Sequence, residues 1–331
     1  MNPIRRRLAG GLGIACTGAF SALATWPSRA QTGWPTKPIR IVVGYPAAGL
    51  VDSLARAYGE HISLKLGQPV IVENKPGAAG MLAGAEVARA APDGHTLWCT
   101  LSGATGQNRV FFKKVPYDPD KDFMHVAGFD PGPLPLGVNA GSPVRNMRDL
   151  IELGKAQRIT FGNFAAGSLP QMMAQQLAKR YGLNVEPVPY KGESAMWLGL
   201  ASGEITVALG SALAMSAHLQ SGRVRAIAVS SKGRSPLLPQ VPTFDEQGHT
   251  DPIFTVQGWV GMLAPVGTPA TVIQRLSDLV QEAAATPRVR EINKTFGMPE
   301  KPWTAAEFAR IDGVNKPIWL ALAQELNIAL D

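Results

Sequence analysis

The stretch Val70-Ile71-Val72-Glu73-Asn74-Lys75-Pro76-Gly77-Ala78-Ala79-Gly80 decides how this chain folds. A β-branched run stops at Asn, Pro and Gly, and small residues suited to a helix follow from Ala83 to Ala91. The same grammar occurs upstream, where Ile39-Arg40-Ile41-Val42-Val43 runs into Gly44-Tyr45-Pro46-Ala47-Ala48-Gly49-Leu50-Val51-Asp52 and an amphipathic helix. Junctions rich in glycine and poor in side chains leave backbone N–H groups free at helix N-termini, where oxyanions such as carboxylates bind. The competing explanation is that these glycines only make tight turns.

The alternation continues outward from these junctions. Strands are predicted over 39–43, 69–73 and 96–100, with helices over 51–66 and 81–90 and a turn at Pro92-Asp93-Gly94. A second unit repeats the pattern, with strands over 158–163, 185–188, 205–209 and 224–230 and helices over 169–181, 194–202 and 213–220. Such alternation builds parallel sheets with right-handed crossovers. Residues 123–139 and 254–266 read as extended segments flanking the second unit, and the tail from Thr268 reads as helices beginning near Thr268-Pro269, Thr304 and Val314. A chain that crosses twice between two units makes the first discontinuous. Ligands of open α/β sheets sit beyond the carboxyl ends of the strands. Those ends carry the loops 44–52, 74–80 and 101–108 in the first unit and 163–170, 190–193 and 210–213 in the second.

With 331 residues, 45% of them hydrophobic, the chain is long enough for two cores. The first 30 residues differ from the rest. Arg5-Arg6-Arg7 precede an apolar run over 8–23, with small-residue processing sites at Ala22-Leu23-Ala24 and Ser28-Arg29-Ala30. This predicts a secretory signal peptide over 1–30, cut between 24 and 30. Sec export fits better than the twin-arginine route, because the residues around the arginines lack that signal's other features. Gly13 stands where a lipoprotein signal carries Leu, which argues against lipidation of Cys16. Four of the basic residues (Arg5, Arg6, Arg7, Arg29) lie in this leader, so the net charge of +7 falls to +3 beyond it. The remaining Lys and Arg are scattered, and nothing supports nucleic-acid binding. Cys99 stays alone in an apolar strand, as a small core residue.

Catalytic and cofactor chemistry finds little to stand on. Gly192-Glu193-Ser194-Ala195-Met196 lacks the closing glycine of a nucleophile elbow, and Ser194 reads as the N-cap of its helix. The histidines (His61, His95, His125, His218, His249) are dispersed, with no metal-ligand spacing, and no phosphate-binding loop motif occurs. No cofactor or metal is expected. Asp52 and Glu73 could form a carboxylate pair, but Asp52 suits better the first turn of its helix, tethering its own loop.

From Trp34 to about Ala329 the chain resembles the Bug, or TctC-like, periplasmic solute-binding proteins, the extracytoplasmic receptors of tripartite tricarboxylate transporters. The resemblance rests on Trp34-Pro35-Thr36-Lys37-Pro38-Ile39-Arg40, Val72-Glu73-Asn74-Lys75-Pro76-Gly77-Ala78, Ala91-Pro92-Asp93-Gly94-His95-Thr96-Leu97 and Tyr117-Asp118-Pro119 with Asp122-Phe123. It continues with Val188-Pro189-Tyr190-Lys191-Gly192, Arg234-Ser235 with Val241-Pro242-Thr243, and Ala264-Pro265 with Gly267-Thr268-Pro269. Each piece is weak alone, and all of them in order are specific. The resemblance implies an α/β, two-lobed periplasmic binding protein of type II-like topology, with two doubly wound sheets joined by crossing strands. Its lobes would be 31–132 plus 258–331, and 133–257.

The implied role is that of a monomeric, non-catalytic periplasmic receptor that traps a small organic acid and hands it to membrane transporter subunits. A secreted hydrolase or a signalling receptor on the same scaffold are the alternatives. The family's first-lobe loop, Phe-Pro-Pro-Gly-Gly-x-x-Asp, falls on Tyr45 to Asp52, and its second-lobe loop, Ser-x-Gly-x-Gly-Ser-x-x-His, on Asn163 to Gln171. The ligand residues expected, from these two loops, from position 210 and from the strand-end loop over 101–108, are Tyr45, Pro46, Ala47, Ala48, Gly49, Asp52, Ser102, Thr105, Asn163, Ala165, Ala166, Gly167, Ser168 and Gly210. Ala47, Ala48, Asn163, Ala165 and Gln171 depart from the pattern, and Ala48 is strained if its site needs a positive φ. Gly210 stands where many members carry Asp, which argues against an amine-bearing ligand. Tyr45, Leu50, Phe164 and Leu169 suggest an acid with an apolar or aromatic far end.

Overall fold

A computed structural model describes residues 33–325 except 165–167, 232 and 257; the predicted signal peptide lies outside the described residues. In chain order the strands are β1 Ile39–Val43, β2 Val70–Asn74, β3 Thr96–Leu101, β4 Phe123–Phe129, β5 Leu134–Asn139, β6 Ile159–Asn163, β7 Val185–Pro189, β8 Val207–Leu209, β9 Val224–Ser230 and β10 Val260–Pro265. The helices are α1 Leu50–Leu66, α2 Met81–Ala88, α3 Ser102–Thr105, α4 Asn108–Phe111, α5 Met147–Ala156, α6 Leu169–Tyr181, α7 Glu193–Ser202, α8 Ala212–Gln220, α9 Pro252–Thr255, α10 Ala270–Ala283, α11 Pro287–Phe296 and α12 Ala305–Glu325.

Two five-stranded sheets result, ordered β2-β1-β3-β10-β4 and β7-β6-β8-β5-β9. Strands β1 to β3 are parallel, as are β6 to β8, while β10 and β5 run antiparallel to their neighbours. Central strands such as Ile39–Val43 read as nearly unbroken β-branched runs because helices cover both their faces. Their one polar residue, Arg40, is held by Glu73 and Glu86 from β2 and α2.

Register sets the two sheets edge to edge. Val260 at the start of β10 lies opposite Leu101, the end of β3, and opposite Phe129, the end of β4. Leu134 at the start of β5 lies opposite Ser230, and Leu136 lies opposite Leu209, the end of β8. The crossing from Phe129 to Leu134 therefore runs between the carboxyl edges of the two sheets, and the chain re-enters the first sheet at the same edge, at Val260. Five peptide steps span at most about 18 Å. The two carboxyl edges, which carry the strand ends where the ligand loops are expected, are thus held one short link apart.

The final helix joins the two halves. Its first part lays Phe308 on the first sheet, edge-on to Trp259 at 4.8 Å between ring centres. Its last part puts Trp319, Leu322 and Ala323 into the core of the second unit with Met173, Phe161 and Phe254, where Phe111 of α4 also inserts. Between them Asp312, only 4% exposed, accepts hydrogen bonds from Trp259 Nε1 at 2.9 Å, His125 Nε2 at 3.1 Å and Lys316 Nζ at 3.0 Å. Lys316 also reaches Asp120, which pairs with Arg109 of α4. The expected break near Val314 does not occur: α12 runs through Pro317. The missing Pro317 N–H deprives the carbonyl of Gly313 of a partner, and packing on both sheets carries the helix past it.

Candidate functional site

Six helices leave the facing strand ends. Five of them, α1, α2, α3, α6 and α7, begin without a side-chain cap, at Gly49, Gly80, Leu101, Ser168 and Gly192. Only α8 is capped, by Ser211, whose Oγ accepts from the Ala214 N–H at 3.3 Å. Uncapped first turns keep the positive end of the helix dipole and N–H donors that no side chain takes, although the first N–H of α2, on Met81, goes to Ala78 O and that of α3, on Ser102, to Trp259 O. Ser194 is not the N-cap of α7 as its sequence suggested: Gly192 holds that place, and Ser194 is an exposed first-turn residue.

The first junction is held open by its own side chains. Asp52, 3% exposed, accepts from the Ala48 N–H at 2.9 Å, from Arg56 Nε at 3.0 Å and from Asn74 Nδ2 at 2.9 Å. Burial alone would raise its carboxyl; the bonds from Arg56, Ala48 and Asn74 outweigh it and hold the group below its ordinary range. Asp52 is thereby spent on the loop, and Glu73 on Arg40, so neither is half of a catalytic pair. Ala48 does sit at positive φ, 64°. The tether from Asp52 accounts for that strain, which for an L-residue is about 1–2 kcal/mol. Pro46, Ala47, Ala48 and Gly49 are exposed, and Gly49 has room beyond its Cα: a Cβ there would meet nothing closer than Pro46 O at 3.7 Å.

The second junction is more strained. Gly77, Ala78, Ala79 and Gly80 all have positive φ, two of them exposed alanines at 45° and 51°. Four successive residues of this kind persist only where surrounding contacts impose them, and Asn108 donates to the Ala79 carbonyl at 3.1 Å. Gly44 allows the two junctions to touch, since a Cβ on it would stand 2.8 Å from Gly80 Cα. Tyr45 is half-buried, its hydroxyl 3.1 Å from where a Gly80 Cβ would lie. Burial pushes that hydroxyl up to about 12 against the opposing bonds of Thr100 and the Leu101 amide.

Not every expected residue presents its side chain. Ser102 donates its N–H to Trp259 O at 3.0 Å, where the second crossing enters the first sheet. Thr105 is buried, its hydroxyl donating to the Ser102 carbonyl at 3.3 Å. Asn163 is 3% exposed at the end of β6, its carbonyl taken by the Tyr190 N–H. Gly210 donates its N–H to Pro135 O at 3.3 Å and backs onto Met196 and Trp197, within about 3 Å of a Cβ placed on it. Ser168 Oγ is buried with no hydrogen-bond partner. Ala165, Ala166 and Gly167 lie outside the described residues. Leu50 is half-buried; Phe164 leans on the Met196–Trp197 cluster and Leu169 on the main second core, so these last two serve packing as well as any ligand. Cys99 is buried, and burial pushes its thiol up to about 12.

Sequence reading missed one group. Glu193, the first residue of α7, accepts from the Ser211 N–H at 3.1 Å and from Ser211 Oγ. A carboxylate therefore stands beside Gly210 although position 210 itself carries none. Its partner lies 18 residues away, and no spacing rule connects the two. Among the described residues no group of three or more His, Cys, Asp or Glu could hold a metal, and no helix is long and apolar enough to cross a membrane.

Comparison with known proteins bears on the fold and the family. The family model described as "Tripartite tricarboxylate transporter family receptor" matches residues 54–327. A protein of Pseudomonas sp. (strain P51), described as a UPF0065 protein in the tcbD-tcbE intergenic region, is 34% identical over 298 residues, covering 89% of this chain and 86% of that one. An R. palustris protein solved with adipate superposes with a TM-score of 0.77 at 26% identity, covering 90% of this chain and 100% of its own. MatC from Rhodopseudomonas palustris, solved with bound malate, superposes at 0.72 with 28% identity, covering 87% and 99%. With its two mixed sheets, its inserted β10 and its match over most of its length, the chain belongs to the TctC family of tripartite tricarboxylate transporter receptors.

Proposed function

We propose that this protein is a periplasmic receptor that captures a small organic acid between two lobes, 31–132 with 258–331 and 133–257, and delivers it to membrane transporter subunits. One observation carries the reading: two facing strand edges from which five of six helices start with uncapped N-termini. Helix-start donors that no side chain takes, in loops too short of side chains to block an approach, suit a carboxylate. Exposed Pro46, Ala47, Ala48 and Gly49 line one side, and the unpaired Ser168 hydroxyl stands at the other. Capture of this kind needs no cofactor. The solved relatives holding adipate and malate support the ligand class, and the family supports the transporter as partner and the periplasm as location. Export through the Sec route and a monomeric state complete the proposal. A micromolar Kd corresponds to about −8.2 kcal/mol, within reach of a few charge-assisted hydrogen bonds and lobe closure. A thermal-shift screen of aliphatic and aromatic carboxylates tests it. A ligand at 100 times its Kd adds about 2.7 kcal/mol, a rise on the order of 5 °C; a screen in which no carboxylate moves the melting temperature refutes the reading.

A further inference from the structure

We propose that Glu193 sets the charge of the ligand: it fills the N-terminus of α8 with the protein's own carboxylate and so restricts the cleft to acids with a single carboxylate. This rests on the cleft being a carboxylate site. Of the six helix starts on these edges, α8 alone carries a side-chain cap. It is closed twice, by the Ser211 cap at its own first turn and by Glu193 Oε2 on the Ser211 N–H and hydroxyl. Glu193 is half-buried, and among the described residues no Lys, Arg or His forms an ion pair with it. A second carboxylate arriving at this end meets a like charge instead of free amides.

Desolvation raises the Glu193 carboxyl above its ordinary value, and the two bonds from Ser211 only partly oppose that rise. The role therefore rests on where the carboxylate sits, on the Ser211 N–H and hydroxyl at the start of α8. The neighbouring Gly210 adds no side chain, and Trp197 and Met196 fill the space behind it. Glu193 therefore takes up the Ser211 donors that a ligand's second acidic group would otherwise use. The two solved relatives hold adipate and malate, acids with two carboxylates, so a preference for one carboxylate would set this chain apart from them.

Titration calorimetry on the whole mature chain tests this with two matched pairs, hexanoate against adipate and benzoate against terephthalate. The wild type binds the monocarboxylate of at least one pair ten times or more tighter than its dicarboxylate. Glu193→Ala shrinks that ratio at least tenfold, chiefly through tighter dicarboxylate binding, with monocarboxylate affinity changed less than threefold. Glu193→Gln keeps the shape and a bond to Ser211 without the charge, and moves the ratio the same way by at least threefold; it serves if the alanine variant folds poorly. A ratio unmoved in a folded variant, or a wild type that prefers the dicarboxylates, overturns the role of Glu193 alone. A wild type that binds none of the four overturns the carboxylate cleft, and this proposal with it.

Discussion

Replacing Gly49 by Asp is expected to weaken carboxylate binding at least 100-fold while leaving the fold intact. Gly49 is the N-cap of α1, with φ −82°, a value open to any residue, and its Cβ position is free of close contacts. Asp and Asn are at least as good at this position as Gly, so neither substitution costs folding energy. The Asp carboxylate would accept the first-turn amides that a bound acid needs, as Glu193 does at Ser211. The loss corresponds to about 2.7 kcal/mol. Gly49→Asn has the same shape without the charge and is expected to lose about tenfold. Calorimetry and thermal unfolding of both variants decide the matter, with unliganded melting temperatures within about 2 °C of wild type. An Asp variant that binds normally contradicts the site. Loss of folding in step with binding makes Gly49 a turn residue only.

Asp312→Ala is expected to cost about 3 kcal/mol of stability, a drop in melting temperature on the order of 5 °C. The substitution strands the buried Trp259 Nε1 and takes the acceptor from His125 and from Lys316, which keeps Asp120. Burial alone would raise the Asp312 carboxyl; the bonds from His125, Lys316 and Trp259 outweigh it and hold it below its ordinary range. A carboxyl lowered in the folded state contributes stability that is full above its unfolded pKa of about 3.9 and fades as pH falls through the folded value. The gap between wild type and variant is therefore full at neutral pH and narrows below about pH 4. Asp120, lowered to about 2 first by Arg109 and next, against burial, by Lys316, adds to the same acid limb. Denaturant unfolding across that range checks both points; a gap independent of pH contradicts the charged role.

The two strand-to-helix junctions were legible because Gly, Pro and Asn interrupt β-branched runs, and α6 occupies the expected 169–181. The return of the chain to its first sheet was visible as extended apolar residues near 260, now β10. The tail was harder. Pro287 begins α11 unannounced, and the helix start expected near Val314 falls inside α12, which runs on through Pro317 because burial of Phe308 on one sheet and Trp319 on the other outweighs one lost hydrogen bond. Ser194 misled because Gly192 starts the helix two residues earlier. At the site, the strain at Ala48 was foreseen from the loop pattern, whereas Glu193 was not. Its bond to Ser211 depends on β7 and β8 ending at one edge, so that α7 and α8 pack together, and local spacing carries no trace of that.

The central claim is that the facing strand ends read a negative charge. Titrating the wild-type protein with the best-binding acid of the thermal-shift screen and with its neutral amide, under one buffer and salt concentration, tests it most directly. The account predicts micromolar binding of the acid and an amide at least 100-fold weaker, a difference of about 2.7 kcal/mol; an amide bound as tightly as the acid would contradict it.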